Sequence, residues 1–145
     1  MDKEIIVEIA DSPQSMEAIF RVRREVFVIE QQVSEEEEYD EFETSSTHLV
    51  AYCDNQVVGT CRYRKTSVGL KMERFAVLKE YRTRSIGASL LLAALDAIDQ
   101  NQFIYLHAQI QVVGFYKKYG FIKVGERFEE AGIQHFKMIY SIDNM

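Results

Sequence analysis

Three histidines and two cysteines are scattered through this chain of 145 residues, with no C-x-x-C pair among them. The common zinc and redox motifs are thereby excluded, and no metal is expected. A disulfide is excluded as well. If Asp54-Asn55 forms the two-residue turn of a hairpin, Cys53 stands opposite Gln56 and Cys61 opposite His48. Several residue steps of about 3.3 Å would separate the sulfurs along the strands, beyond the Cα limit of about 7 Å for a bridge. Both cysteines read as reduced strand residues. Positive charge is also short, with 17 Lys and Arg against 23 Asp and Glu and a net charge of −6. Duplex binding needs a basic surface, so nucleic acid is not an expected partner. No apolar run approaches the roughly 20 residues that cross a membrane, and the opening "MDKEIIVEIADS" does not read as a signal peptide. A cytoplasmic location without a membrane partner is the expectation. Repeats, low-complexity tracts and linkers are missing too, which leaves a single domain over residues 1–145.

What remains is an alternation of short strands and helices. "EIIVEIA" reads as a first strand, and Ser12-Pro13 as a helix opening with serine at the N-cap and proline at the first helical position. Ile19, Val22, Val26 and Phe27 follow at helical spacing. The acidic stretch "VSEEEEYDEFETSST" reads as a loop or short irregular helix, with the run Glu35 to Glu38 as a solvated face. "HLVAYC" and "QVVGTCRYR" form a hairpin, and "LKMERFAVL" a further strand. Ser85 to about Asp99 is the strongest helix, with Ile86, Leu90, Ala94 and Ile98 on one face. "FIYLHAQ" is a buried strand, "VVGFYKKYG" a short helix closed by Gly120, and "FIKVGERF" and "HFKMIYSI" two last strands. The pattern is α+β, a mixed sheet flanked by helices.

One strand-turn-helix step has small residues and cations in its turn, "EYRTRSIGASLLLAAL" from Glu80 to Leu95. A helix start exposes unpaired N–H groups and partial positive charge, which suits a phosphate. A Walker loop would need a G-K-[ST] ending, and a dinucleotide fingerprint three glycines; only Gly87 is present here.

Arg82-Thr83-Arg84-Ser85-Ile86-Gly87 resembles the R/Q-x-x-G-x-G/A signature of the GNAT N-acetyltransferase superfamily, with Ser85 in the place of its first glycine. "QIQVVGFYKKYGF", Gln109 to Phe121, resembles the family's later tyrosine-bearing helix. "RREVFVIEQQVSEEEEYDEFETSSTHLVAY", Arg23 to Tyr52, looks like the signature of a small bacterial branch, the YjcF/ElaA-like proteins. Val26, Phe27, Val28, Glu30, Gln31, Val33, Glu38, Asp40 and His48 fit it; Ser34, Glu43 and Ser46 depart from it. The resemblance spans nearly the whole chain. It implies a mostly antiparallel GNAT-like sheet of about six or seven strands, with strands four and five splayed to form the cofactor cleft.

It also implies an acetyl-CoA-dependent N-acetyltransferase, with no metal, in which an amine attacks the thioester directly. The acceptor would be a small-molecule or protein amine, and the chain a monomer or homodimer. Backbone from Phe75, Ala76 and Val77 would pair with the pantetheine arm. Arg82, Thr83, Arg84, Ser85, Ile86, Gly87 and Ala88, helped by Lys79, would hold the phosphates. The Val77 N–H would polarise the carbonyl. Tyr116 would touch the cofactor sulfur and protonate the departing thiolate. Glu73, Glu30, His48 and His107 are candidates for the base. Glu73 is placed first because it lies two residues before Phe75, on the same face of a regular strand. Glu30, His48, His107 and His135 would line the acceptor pocket. The alternative is a CoA-binding regulator or sensor that has lost turnover.

Overall fold

The computed structural model describes residues 4–141. Strand β1 (Ile5–Ile9) is followed by helix α1 (Pro13–Arg23), a π-helical turn (Arg24–Glu30) and helix α2 (Glu35–Glu38). Strands β2 (Thr47–Cys53), β3 (Gln56–Lys65) and β4 (Leu70–Val77) lead into helix α3 (Ile86–Ala97). Strand β5 (Ile104–Gln109), helix α4 (Val113–Lys118) and strands β6 (Phe121–Glu130) and β7 (Ile133–Tyr140) complete the order. The seven strands are ordered β1-β2-β3-β4-β5-β7-β6. β4 and β5 are parallel, whereas β1–β2, β2–β3, β5–β7 and β6–β7 are antiparallel. The expected mixed, mostly antiparallel sheet is therefore present. Among the described residues no helix is long and apolar enough to cross a membrane.

Two compact units divide the residues. The first comprises residues up to Arg64 together with Arg74–Asp99, and the second comprises Lys65–Glu73 and residues from Gln100 onward. In the first unit α1 starts as the sequence indicates. Ser12 accepts the N–H of Ser15, and Ser15 accepts that of Ser12 in return, a reciprocal cap that satisfies two donors. Ile19, Val22 and Val26 are buried with Leu49, Val58, Ala76, Ile86, Leu90 and Leu91 to form its core. Gly59 lets α3 approach the sheet: a Cβ there would sit 3.2 Å from Ala76 O, Ile86 Cγ2 and Leu90 Cδ1. The hairpin register needs one correction. Asp54-Asn55 is the turn and Cys53 pairs with Gln56, but a bulge between Ala51 and Tyr52 shifts the strands by one residue. Cys61 therefore faces Leu49, and His48 faces Arg62. Both cysteines are free and buried, and burial pushes the Cys61 thiol up. Helix α3 ends at Ala97, so Ile98 is an extended cap residue rather than part of the helical face.

The second unit is built on β5. The Leu70 N–H donates to Phe103 O at 2.8 Å, starting a parallel ladder in which Leu70, Lys71 and Met72 pair with Ile104, Tyr105 and Leu106. On its other side β5 pairs with β7, which in turn pairs with β6. The β6–β7 hairpin turns at Ala131-Gly132, with φ of 52° and 76° as a type I′ turn demands. Leu70, Met72, Ile104, Leu106, Ala108, Tyr116, Phe121 and Met138 form this unit's core. Gly120, at φ 98°, ends the short helix in the left-handed conformation expected of it.

Candidate functional site

The turn after β4 carries the clearest feature of the first unit. Ser85 adopts φ 61°, ψ 23°, the left-handed region that a glycine enters freely and an L-residue enters under strain. Its side chain makes no capping bond, so the helix-capping role open to its hydroxyl is not taken. The first helical bond runs from the Ser89 N–H to the Ser85 carbonyl at 3.0 Å. The N–H groups of Ile86, Gly87 and Ala88 are thus the unsatisfied donors of a twelve-residue helix, with no side chain across them. Lys79, Thr83, Arg84 and Ser85 are exposed around them, and the Arg84 guanidinium lies 5.1 Å from the centre of the Tyr81 ring. Arg82 is engaged elsewhere. Its Nε donates to Val77 O at 2.9 Å, and its two terminal nitrogens reach Glu30 at 2.6 Å each. That bidentate bond holds the Glu30 carboxyl below the usual range. Glu30 therefore braces the turn. Within β4, Ala76 is buried, while Phe75 and Val77 are partly exposed.

Residues of the branch-like signature meet in a buried ionic network. Arg23 is 1% exposed; it donates to Glu38 at 2.6 Å and to Glu43 at 2.8 and 2.9 Å. Arg62 donates to Asp40 at 2.9 and 2.6 Å and to Glu43 at 2.9 Å. Arg74 joins Asp40 at 3.2 Å and Glu38 at 3.2 Å. Glu38 is consequently buried, against the expectation of a solvated face, because two arginine side chains, Arg23 and Arg74, take the place of water around it. Glu35, Glu36 and Glu37 remain exposed as expected. Burial pushes the Glu38 carboxyl up despite its arginine neighbours, whereas Asp40 is held at about 2, its burial outweighed by hydrogen bonds and charge from Arg62 and others. His48 belongs to this network. It is buried, burial lowers its pKa, and its Nε2 lies 2.8 Å from Glu43 O. Nε2 is then the donor, and Nδ1 lacks a partner. Arg62 and Arg74, which complete the network, carry no sequence signal beyond strand arginines.

The second unit gathers two other sequence candidates. His107 lies on β5 immediately past the last pair of the parallel ladder, Met72–Leu106, and Glu73 holds the matching position on β4. The Glu73 carboxylate is nearly buried and lies 3.3 Å from Lys71 Nζ. Arg74 then takes φ 59°, which interrupts the regular alternation between Glu73 and Phe75. The His107 Nδ1 lies 3.1 Å from Glu130 Oε1, and His135 Nε2 lies 3.8 Å from the other oxygen of the same carboxylate. His135 Nδ1 is bonded to Ile133 O at 2.7 Å. Phe128 stands edge-on to His107 at 5.0 Å and stacks on His135 at 5.8 Å. The hydrogen bond from His107 holds the Glu130 carboxyl below its ordinary value. Neither Glu130 nor Phe128 was marked by the sequence, since β6 reaches β5 only through the intervening β7. Tyr116 on α4 is buried, edge-on to Phe115 at 5.1 Å and Phe121 at 5.9 Å. Among the described residues no group of three His, Cys, Asp or Glu is placed to hold a metal ion.

Comparison with known proteins agrees with this architecture. A family profile described as "Acetyltransferase (GNAT) domain" matches residues 10–142. The uncharacterized N-acetyltransferase YjcF of Bacillus subtilis is 41% identical over 135 residues, covering 90% of this chain and 96% of its own. Protein ElaA of Escherichia coli is 28% identical over 88% of each chain. Its crystal structure superposes with a TM-score of 0.83 at 24% identity, covering 97% of this chain and 100% of ElaA. A GNAT family acetyltransferase from Elizabethkingia anophelis, solved with acetyl-CoA bound, superposes with a TM-score of 0.62 at 17% identity, covering 93% and 94%. With nearly the whole chain inside the family profile and a close relative along nine tenths of it, the chain belongs to the GNAT acetyltransferase family.

Proposed function

We propose that the protein is an acetyl-CoA-dependent N-acetyltransferase that moves an acetyl group to a primary amine of a small molecule or protein. The observation that carries the reading is the glycine-like conformation of Ser85, which leaves the N–H groups of Ile86, Gly87 and Ala88 uncapped at the mouth of α3. Oriented donors at a helix start with exposed cations around them suit a diphosphate. Arg84 and Lys79 add charge, while Arg82, held by Glu30, keeps the turn in shape. Acetyl-CoA would bring an activated acetyl thioester. Backbone of Phe75–Val77 would pair with its arm, and the Val77 N–H would stabilise negative charge on the carbonyl oxygen. The Tyr116 phenol would give its proton to the departing sulfur.

The first test is binding. Acetyl-CoA at a hundred times its dissociation constant should stabilise the fold by about 2.7 kcal/mol. Absence of any thermal shift would remove the coenzyme from the account. The second is release of free thiol across a panel of primary amines. Binding without turnover on every amine would favour a regulator. Tyr116→Phe should lower kcat by about a hundredfold or more while leaving the thermal shift intact. Equal loss of both would make the tyrosine structural.

A further inference from the structure

We infer that His107 is the group that deprotonates the acceptor amine, and that Glu130 is the positioning residue that fixes its ring; this rests on the acetyltransfer reading. The other candidate bases are committed. Glu30 is bidentate on Arg82, His48 is buried in the ionic network, and Glu73 is nearly buried against Lys71. His135 is bonded through Nδ1 to Ile133 O and is buried. His107 combines partial exposure and a fixed ring with a nitrogen left unbonded among the described residues. Its side chain is 24% exposed, its Nδ1 is tied to Glu130, and its Nε2 has no hydrogen-bond partner among the described residues. A carboxylate can only accept, so the neutral ring must carry its proton on Nδ1 and keep the Nε2 lone pair for a proton from outside.

His107 is the first residue of β5 past the parallel ladder, two residues before the strand ends at Gln109. Phe128 and Tyr105 hold the ring at 5.0 and 6.0 Å, which limits its rotation. The charged groups facing it are Glu130 on β6, His135 and Lys137 on β7, and Lys71 with Glu73 on β4. Lys71 lies 3.3 Å from Glu73 and its charge also acts on Glu130, and the Lys137 ammonium lies over the rings of Phe103 and Tyr105 at 5.6 and 5.2 Å. Glu130 is the carboxylate that bonds the His107 ring directly. In the step itself Nε2 takes one proton from the ammonium form of the acceptor. The freed nitrogen forms the C–N bond as the C–S bond breaks, and the thiolate leaves with a proton from Tyr116. The second amine proton restores the Tyr116 phenol by way of solvent, and the proton on His107 passes to bulk water, so amide, free thiol and one proton are the net products.

Two measurements test this. Long-range nitrogen–proton NMR on histidine-labelled protein should show the neutral His107 ring protonated at Nδ1, a preference lost in Glu130→Ala. In the thiol-release assay, with the most reactive amine of the primary-amine panel, His107→Gln should lower kcat/KM at pH 7 by about a hundredfold or more. Its thermal shift with acetyl-CoA should stay as in the parent, which also shows the variant folded. Glu130→Gln should lower kcat by about tenfold while leaving the KM for acetyl-CoA as in the parent. An Nε2-protonated ring in the parent, an unchanged kcat in Glu130→Gln, or a loss under about threefold in His107→Gln would overturn the assignment while acetyltransfer stands. A parent protein that binds acetyl-CoA but turns over no amine would overturn both.

Discussion

Replacing Asp40 by asparagine keeps the shape of the side chain and removes its charge, which isolates the ionic part of the buried network. Asp40 Oδ1 accepts Arg62 Nη1 at 2.9 Å and the Phe42 N–H at 3.0 Å; Oδ2 accepts Arg62 Nη2 at 2.6 Å. Burial would raise the carboxyl, but these bonds and the charges of Arg62 and Arg74 prevail and hold it at about 2. Against an unfolded value near 3.9, the shift corresponds to about 2.5 kcal/mol at neutral pH, since each unit is 1.36 kcal/mol. The side chain is 23% exposed, so screening reduces this to about 1–2 kcal/mol. The sign follows from the direction of the shift. A folded carboxyl with a depressed pKa contributes fully above the unfolded value and loses that contribution as pH falls through the folded one. Urea denaturation of the parent and of Asp40→Asn should therefore differ by about 1–2 kcal/mol at pH 7, and by about a third of that at pH 2.5. Glu43, also held low, acts in the same direction, and Glu38, pushed up by burial, in the opposite one; both are present in either protein and largely cancel in the difference. A deficit of equal size at pH 7 and pH 2.5 would refute the reasoning, because it would place the loss in packing rather than charge.

Ser85→Gly should stabilise the fold. Left-handed backbone costs an L-residue about 1–2 kcal/mol, glycine's extra freedom when unfolded returns about 0.5–1, and a net gain of about 0.5–1 kcal/mol should appear as a rise in melting temperature. Ser85→Ala, which keeps the strain, should show no such gain; a gain in both would locate the effect in the side chain. Gly69→Ala should be severe, because φ is +156° and a Cβ would meet Phe103 O at 2.4 Å. A loss of about 2 kcal/mol or more is expected in chemical denaturation, and a variant as stable as the parent would show that β4 and β5 can part at that point without cost.

The strands were legible as short runs rich in β-branched, aromatic and apolar residues bounded by turns, and the first helix because serine and proline stand where a helix start needs them. The bulge was not legible, since nothing in "QVVGTC" marks Val58 as the extra residue opposite Ala51-Tyr52, and it moved His48 opposite Arg62. Conformation was hidden at Ser85 too. The residue type invites a side-chain cap, while the backbone uses the position as glycine would be used. Glu130 was hidden by topology. It precedes the hairpin turn as an ordinary acidic residue, 23 positions from His107, and the strand order β5-β7-β6 alone brings the two within hydrogen-bond reach.

The acidic stretch teaches a further distinction between recognising a family and locating its chemistry. Arg23, Glu38, Asp40 and His48 all lie in the stretch that made this chain resemble its relatives, and all are drawn into one network in the first unit. Three arginines and three carboxylates in that setting need every partner, because a buried charge left alone costs far more than the pair contributes. Removing any one partner would leave a buried charge unpaired, so each substitution there should cost stability. The residues left with an unheld atom and access to solvent among the described ones, His107 and the N–H groups at the start of α3, lie outside that acidic stretch. Substitutions within the acidic signature should therefore show first in stability, and those at His107 first in turnover.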